Sequence, residues 1–304
     1  MTYEPHRLCD GDINELRKHY TDKQIPEIIL HVAGYNSINR WKEGAGIPQS
    51  PGGGGFGSRR SGGDNTGAEK KVERPTEANH SYLTPTSPRF QDLITKVVPL
   101  KIDEKTGKPS TQTVFRRAPL ESRAAVEQSL DAARKRSPRL PLADDVRTKG
   151  IVPDGFSDGS LAQWTRLLAI FPNSAKSRIA SIHSAETRGD LKPLLKAQIS
   201  WIVARQDRAW YALGQARRRL HEQGWSDDEI FKLDGDWSEF TPAERAQFQL
   251  ARQLEAAPIV LTDAETAEAL KQVGPRDVVQ LISYTTNRVS FNRITEAAGL
   301  RLED

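Results

Sequence analysis

Through the second half of the chain apolar residues recur every three or four positions, the period of a helix with one buried face. Leu161, Trp164, Leu167, Leu168 and Phe171 share such a face, closed by Pro172, and Ser174 opens a further helix carrying Ile179, Ile182 and Ala185. Leu191, Leu195, Ile199, Ile202 and Val203 define the next, with Pro193 tolerated in its first turn and Arg205 ending the apolar run. Asp207 is then expected to cap a helix in which Ala209, Ala212 and Ala216 form a narrow stripe while Trp210, Leu213 and Leu220 supply bulk. Residues 191–221 therefore predict two helices meeting at a tight corner. Downstream, Ser226-x-x-Glu229, Thr241-x-x-Glu244 and Thr262-x-x-Glu265 are capping boxes, and a last helix spans 275–298. No stretch alternates as a strand, so the expected class is all-α.

The N-terminal region predicts two more helices. One, over 14–20, has Asp10 and Asp12 available as caps, and one, over 23–43, is preceded by the capping box Thr21-x-x-Gln24. This segment recurs without a gap at an offset of 253. Pro5, Leu8, Asp10, Glu15, Lys18, Ser37, Asn39, Arg40, Glu43, Ala45 and Gly46 return as Pro258, Leu261, Asp263, Glu268, Lys271, Ser290, Asn292, Arg293, Glu296, Ala298 and Gly299. The apolar pairs Ile28/Leu281, Ile29/Ile282 and Ile47/Leu300 keep the same register. The expectation is a partial internal duplication in which residues 1–48 are a helix pair without the rest of its domain.

Between the two copies the chain changes character. Residues 49–83 are rich in glycine and serine and bury too little apolar surface to offset their ordering entropy, which predicts a flexible linker. Gly52, Gly54 and Gly57 satisfy G-x-G-x-x-G, but no strand precedes them and no helix follows, so a dinucleotide site is not expected. Residues 84–157 read as a Pro-rich connection with a short apolar helix at 90–98 and an amphipathic one at 120–136, the latter through Ala124, Ala125, Leu130 and Ala133. Residues 158–304 make the main helical domain.

Composition narrows the function. Apolar residues are 37% of the 304, and mean hydropathy is −0.61, consistent with part of the length lying outside any core. The single cysteine, Cys9, excludes an intrachain disulfide and fits a reducing compartment. No secretory leader pattern opens the sequence and no apolar run approaches the ~20 residues of a membrane span, so the expected location is the cytoplasm. Forty-four basic residues against 40 acidic give a net charge of +4. The densest basic clusters, Arg134-Lys135-Arg136 and Arg217-Arg218-Arg219, lack interleaved aromatics and read as solvated helix faces, not a nucleic-acid surface. Neither a metal nor a cofactor is expected.

The corner, the W-x-x-L-L-A-x-F-P helix before it and the D-G-D-W loop at residues 234–237 occur in an order that resembles the carboxymuconolactone decarboxylase-like proteins, which include the alkylhydroperoxidase D type. That resemblance implies a helical bundle, association into closed oligomers, and, in redox-active members, a C-x-x-C-x-x-x-H at the start of the second corner helix. Two cysteines three apart in a first turn share a face whose free N–H groups favour the thiolate. Here Ala209 and Ala212 stand at the cysteine positions, Ala216 at the histidine and Ala197 at a helper glutamate. Without a nucleophile that cycles through sulfenic acid, thiol peroxidase (peroxiredoxin) activity is not expected. The polar residues left as candidates for catalysis are Tyr211 and Gln215 on the corner and His183 with Glu186 at i, i+3 on the preceding helix. The repeated S-x-N-R offers Asn292 and Arg293 as ligand anchors, or as groups satisfying helix ends or a carboxylate across a packed interface. Three functions follow: a redox-inactive protein that assembles or binds a small molecule, a cysteine-independent enzyme of the lactone decarboxylase type, and a peroxidase-like oxidoreductase using Cys9.

Overall fold

In the computed structural model the C-terminal half is a bundle laid around one long helix. The structure describes residues 1–2, 5–47, 119–152, 161–256, 259 and 261–303. The glycine-rich stretch and the expected helix at 90–98 lie outside them. The elements are α1 (Asp10–Arg17), α2 (Gln24–Gly44), α3 (Arg123–Lys135), α4 (Asp145–Lys149), α5 (Gln163–Leu168), α6 (Ala175–Thr187), α7 (Pro193–Asp207), α8 (Trp210–Glu222), α9 (Asp227–Phe231), α10 (Pro242–Glu255) and α11 (Asp263–Ala297). The class is all-α, with no strand among the described residues. None of the described helices is long and apolar enough to cross a membrane.

All three C-terminal capping boxes form. The Ser226, Thr241 and Thr262 backbone N–H groups donate to Glu229, Glu244 and Glu265 at 2.7, 2.9 and 2.7 Å. Thr21 and Gln24 make the same reciprocal pair ahead of α2. α1 begins four residues before its expected start, because Asp12 accepts the Cys9 N–H at 2.8 Å and fixes the first turn there. α3 buries Val126, Leu130 and Ala133, whereas Ala124 points to solvent. The last two helical runs join into the 35-residue α11, with Gly274 at φ 81° breaking its path immediately before Pro275. Only glycine takes that backbone conformation without steric cost.

The core is continuous across these elements. α11 lies against α2, α10 and α7, and α7 packs on α8. Trp201, Ile199, Tyr211, Leu213, Phe248 and Leu281 are fully shielded. The two basic clusters differ from expectation. Arg136 bonds the Leu300 carbonyl and the Glu296 carboxylate, Arg217 binds Asp227 and Glu127, and Arg219 pairs with Glu186. These guanidiniums are turned to carboxylates of neighbouring elements, so the clusters are not simply solvated faces.

Candidate functional site

The corner between α7 and α8 is closed by one left-handed residue, Arg208 at φ 52°. Its strain is offset by a closing pattern in which the Ala209 N–H reaches back to the Ala204 carbonyl at 2.9 Å, and by guanidinium bonds to Glu121 and the Pro119 carbonyl. Asp207 does not cap α8, contrary to expectation. It is the last residue of α7, and the capping position falls to Ala209, whose methyl offers no acceptor.

Ala197, Ala209, Ala212 and Ala216 are 1%, 0%, 5% and 0% exposed, so all four positions lie in packed interior. A helix start still presents unpaired N–H groups and a positive partial charge. In this chain that charge meets Glu296, which accepts the Tyr211 N–H at 3.1 Å and is itself held by Arg136 through bonds of 2.9 and 3.0 Å. The chain's own carboxylate thus occupies the place where an anion would be stabilised.

One turn on, Tyr211 and Gln215 converge on a second internal carboxylate. The Tyr211 hydroxyl donates to Glu303 Oε1 and the Gln215 amide to Oε2, both at 2.9 Å, and the Gln163 N–H completes the grip. Burial and then the Glu303 charge push the Tyr211 phenol well above its ordinary range, so it stays protonated as a donor. Leu302, beside Glu303, fills the space over Gly214, where a Cβ would overlap its side chain.

His183 and Glu186 share α6, but Glu186 is committed elsewhere. It forms ion pairs with Arg219 and Arg288 and accepts from the Tyr284 hydroxyl at 2.8 Å, which in turn contacts Ser200 at 2.7 Å. Burial pushes its carboxyl up, but attraction from Arg288 and Arg219 and the Tyr284 bond outweigh it and leave the group below the usual glutamate range. A carboxylate held ionised in this way cannot act as a general acid near neutrality. Lys196, lowered by burial, spans the end of α6 by donating to the Glu186 and Arg188 carbonyls.

Asn292 and Arg293 turn to Asp207, each at 2.9 Å, and Arg293 is wholly buried. On the far side of α7, Arg205 bridges Asp234 and Glu121 at 2.8 and 3.0 Å, and Trp201 also donates to Asp234. Burial raises the Asp234 carboxyl despite Arg205. The candidates other than His183 therefore fall into three sets: Glu186; Tyr211 with Gln215; and Asn292 with Arg293, the first two joined by Arg219, which pairs with Glu186 and donates to the Gln215 carbonyl at 3.4 Å. Glu296, Glu303 and Arg136 were not foreseen, since their partners lie 85 to 160 residues away along the chain. The basic run at 134–136 and the Glu43/Glu296 repeat mark two of them in the sequence without indicating what they meet. Among the described residues no group of three His, Cys, Asp or Glu is placed to hold a metal. An open cleft of about 630 Å³ lies elsewhere, between α10 and the start of α11, lined by Trp237, Arg245, Gln249, Glu265 and Glu268.

No family model matches the chain, and no curated protein matches it in sequence. Among solved structures it is similar to a cysteine-to-alanine variant of the debrominase Bmp8 in complex with 2,3,4-tribromopyrrole. The match has 14% identity and a TM-score of 0.44, and covers 64% of this chain and 94% of that one.

Proposed function

We propose that this protein is a redox-inactive relative of the carboxymuconolactone decarboxylase-like proteins that acts in the cytoplasm by binding or assembly and not by peroxide turnover. The observation that carries the reading is the start of α8, where buried alanines stand at the redox positions and Glu296 takes the helix-terminal anion place. A thiolate there would need both an open path and an uncompensated helix end. The Glu186 set does not supply a substitute, because its carboxylate is already paired with two arginines.

The test is peroxide consumption by the purified full chain with a dithiol reductant, for the parent, C9S and A209C/A212C. All three are expected to match the buffer rate, the last because its thiols would lie in packed interior. Turnover by the parent that C9S abolishes would replace this reading with a Cys9 peroxidase. Turnover by A209C/A212C would show that the corner is accessible and redox-competent. Carbon dioxide release from a lactone acid would establish a cysteine-independent decarboxylase instead.

A further inference from the structure

The two copies of the repeated segment meet face to face. α2 lies along the second half of α11, and six of the eight residues α2 buries correspond at the offset of 253 to residues α11 buries: Ile25 with Val278, Ile29 with Ile282, Ala33 with Thr286, Asn36 with Val289, Arg40 with Arg293, Gly44 with Ala297; the other two, Pro26 and Leu30, correspond to the exposed Val279 and Ser283. α1 and α11 both begin at the matched aspartates, Asp10 and Asp263. The helices also end alike, with Gly46 at φ 62° and Gly299 at φ 60°.

The arginine contacts repeat as well. Arg40 donates to the Asn36 carbonyl at 3.2 Å and to the Glu255 carbonyl at 3.1 Å. Arg293 donates to the Val289 carbonyl at 3.2 Å and to the Thr2 carbonyl at 3.0 Å. Val289 is Asn36 shifted by 253, and Glu255 is Thr2 shifted by 253. Each copy reaches across to the corresponding carbonyl of the other, the reciprocity of a two-fold interface.

We infer that α1–α2 occupies, within one chain, the face on which a second copy of α10–α11 would dock. The C-terminal half carries both sides of the contact: Arg293 as donor and the Glu255 carbonyl as acceptor. Two such halves related by a two-fold axis would satisfy one another as α2 and α11 do. A β-carbon at Gly44 would stand 3.1 Å from Ile282 and Leu254, and the corresponding residue of α11, Ala297, has that carbon. The N-terminal helix therefore fits more closely than a second copy, and covalent attachment raises its effective concentration further. The second copy is excluded by competition, not by an incompatible surface.

The test keeps the full chain. Ile25→Asp with Ile29→Asp removes two wholly buried anchors of α2 and frees the face. Trp41 donates to the Ser283 hydroxyl at 3.1 Å across the present interface, and Ile294 is the counterpart of Trp41. S283C and I294C, added in a C9S background, would then face each other between two copies. Within one helix they stand on the order of 16 Å apart, so a bismaleimide shorter than that links them only between chains. The freed variant is expected to sediment at twice the mass of the parent and to give a cross-linked dimer, while the parent carrying the same two cysteines gives none. A helical, freed variant that keeps the parent's mass and does not cross-link overturns the proposal. Gly44→Leu wedges α2 away without placing charge in the core and is read in the same way. Loss of helical signal in both variants with no dimer at any concentration also overturns it, because a self-complementary face would be rescued by a second copy.

Discussion

Replacing Glu296 by glutamine tests whether the start of α8 depends on an internal anion. The substitution keeps size and one acceptor oxygen but removes the charge that meets Arg136 and the Tyr211 N–H. Glu296 is 2% exposed and Arg136 20%. Breaking one side of a buried ion pair costs about 3–5 kcal/mol. The retained oxygen and the water that reaches Arg136 reduce this to roughly 2–3 kcal/mol, including the lost interaction with the helix end. At about 2–4 °C per kcal/mol for a chain of this size, Tm should fall by about 5–10 °C. Thermal and urea unfolding followed by circular dichroism supply the measurement. Glu43→Gln, at the exposed counterpart position, is the control and should change stability by less than about 0.5 kcal/mol. If E296Q is as mild as E43Q, the α8 terminus does not rely on this carboxylate and the reasoning fails.

Two further outcomes are expected. Because the Glu186 carboxyl lies below its ordinary range in the folded chain, the stability it contributes is complete above the unfolded value of about 4.3 and is lost as pH falls through the lowered folded value; urea midpoints across acid pH should therefore fall more steeply for the parent than for E186Q. Gly214→Ala places a methyl against Leu302 and should cost about 1–3 kcal/mol, with Leu302→Ala relieving most of the clash; additive losses in the double-mutant cycle would show that the two sites do not touch.

What the sequence makes legible is local. The four capping boxes are set by residues three apart, and the corner helices by a 3.6-residue period, so spacing alone locates them. The 253-residue offset points to a matched helix pair before any contact is known. Asp207 shows where such reading stops. Serine, threonine or aspartate before a helix reads as a cap, but this aspartate ends the preceding helix and meets Asn292 and Arg293. The choice is made by residues 85 and 86 positions away, which no local pattern contains. The same limit applies to two glutamates: Glu303 carries no local signal, and Glu296 is marked only as the repeat of Glu43, so neither is tied to α8 until the fold brings that helix to it. Both structural alternatives for the repeated arginine are realised, Arg40 on the carbonyls ending α10 and Arg293 on a carboxylate.

The inward turn of the arginines alters what the protein presents to its surroundings. A formal charge of +4 and an isoelectric point near 9.1 describe a basic chain, yet Arg136, Arg205, Arg219, Arg288 and Arg293 spend their charge on internal carboxylates. At any distance each such pair behaves as a small dipole, whose field decays much faster than that of a lone cation. Pairing removes charge of both signs together, so it leaves the net charge of +4 unchanged and alters only where on the surface that charge is felt.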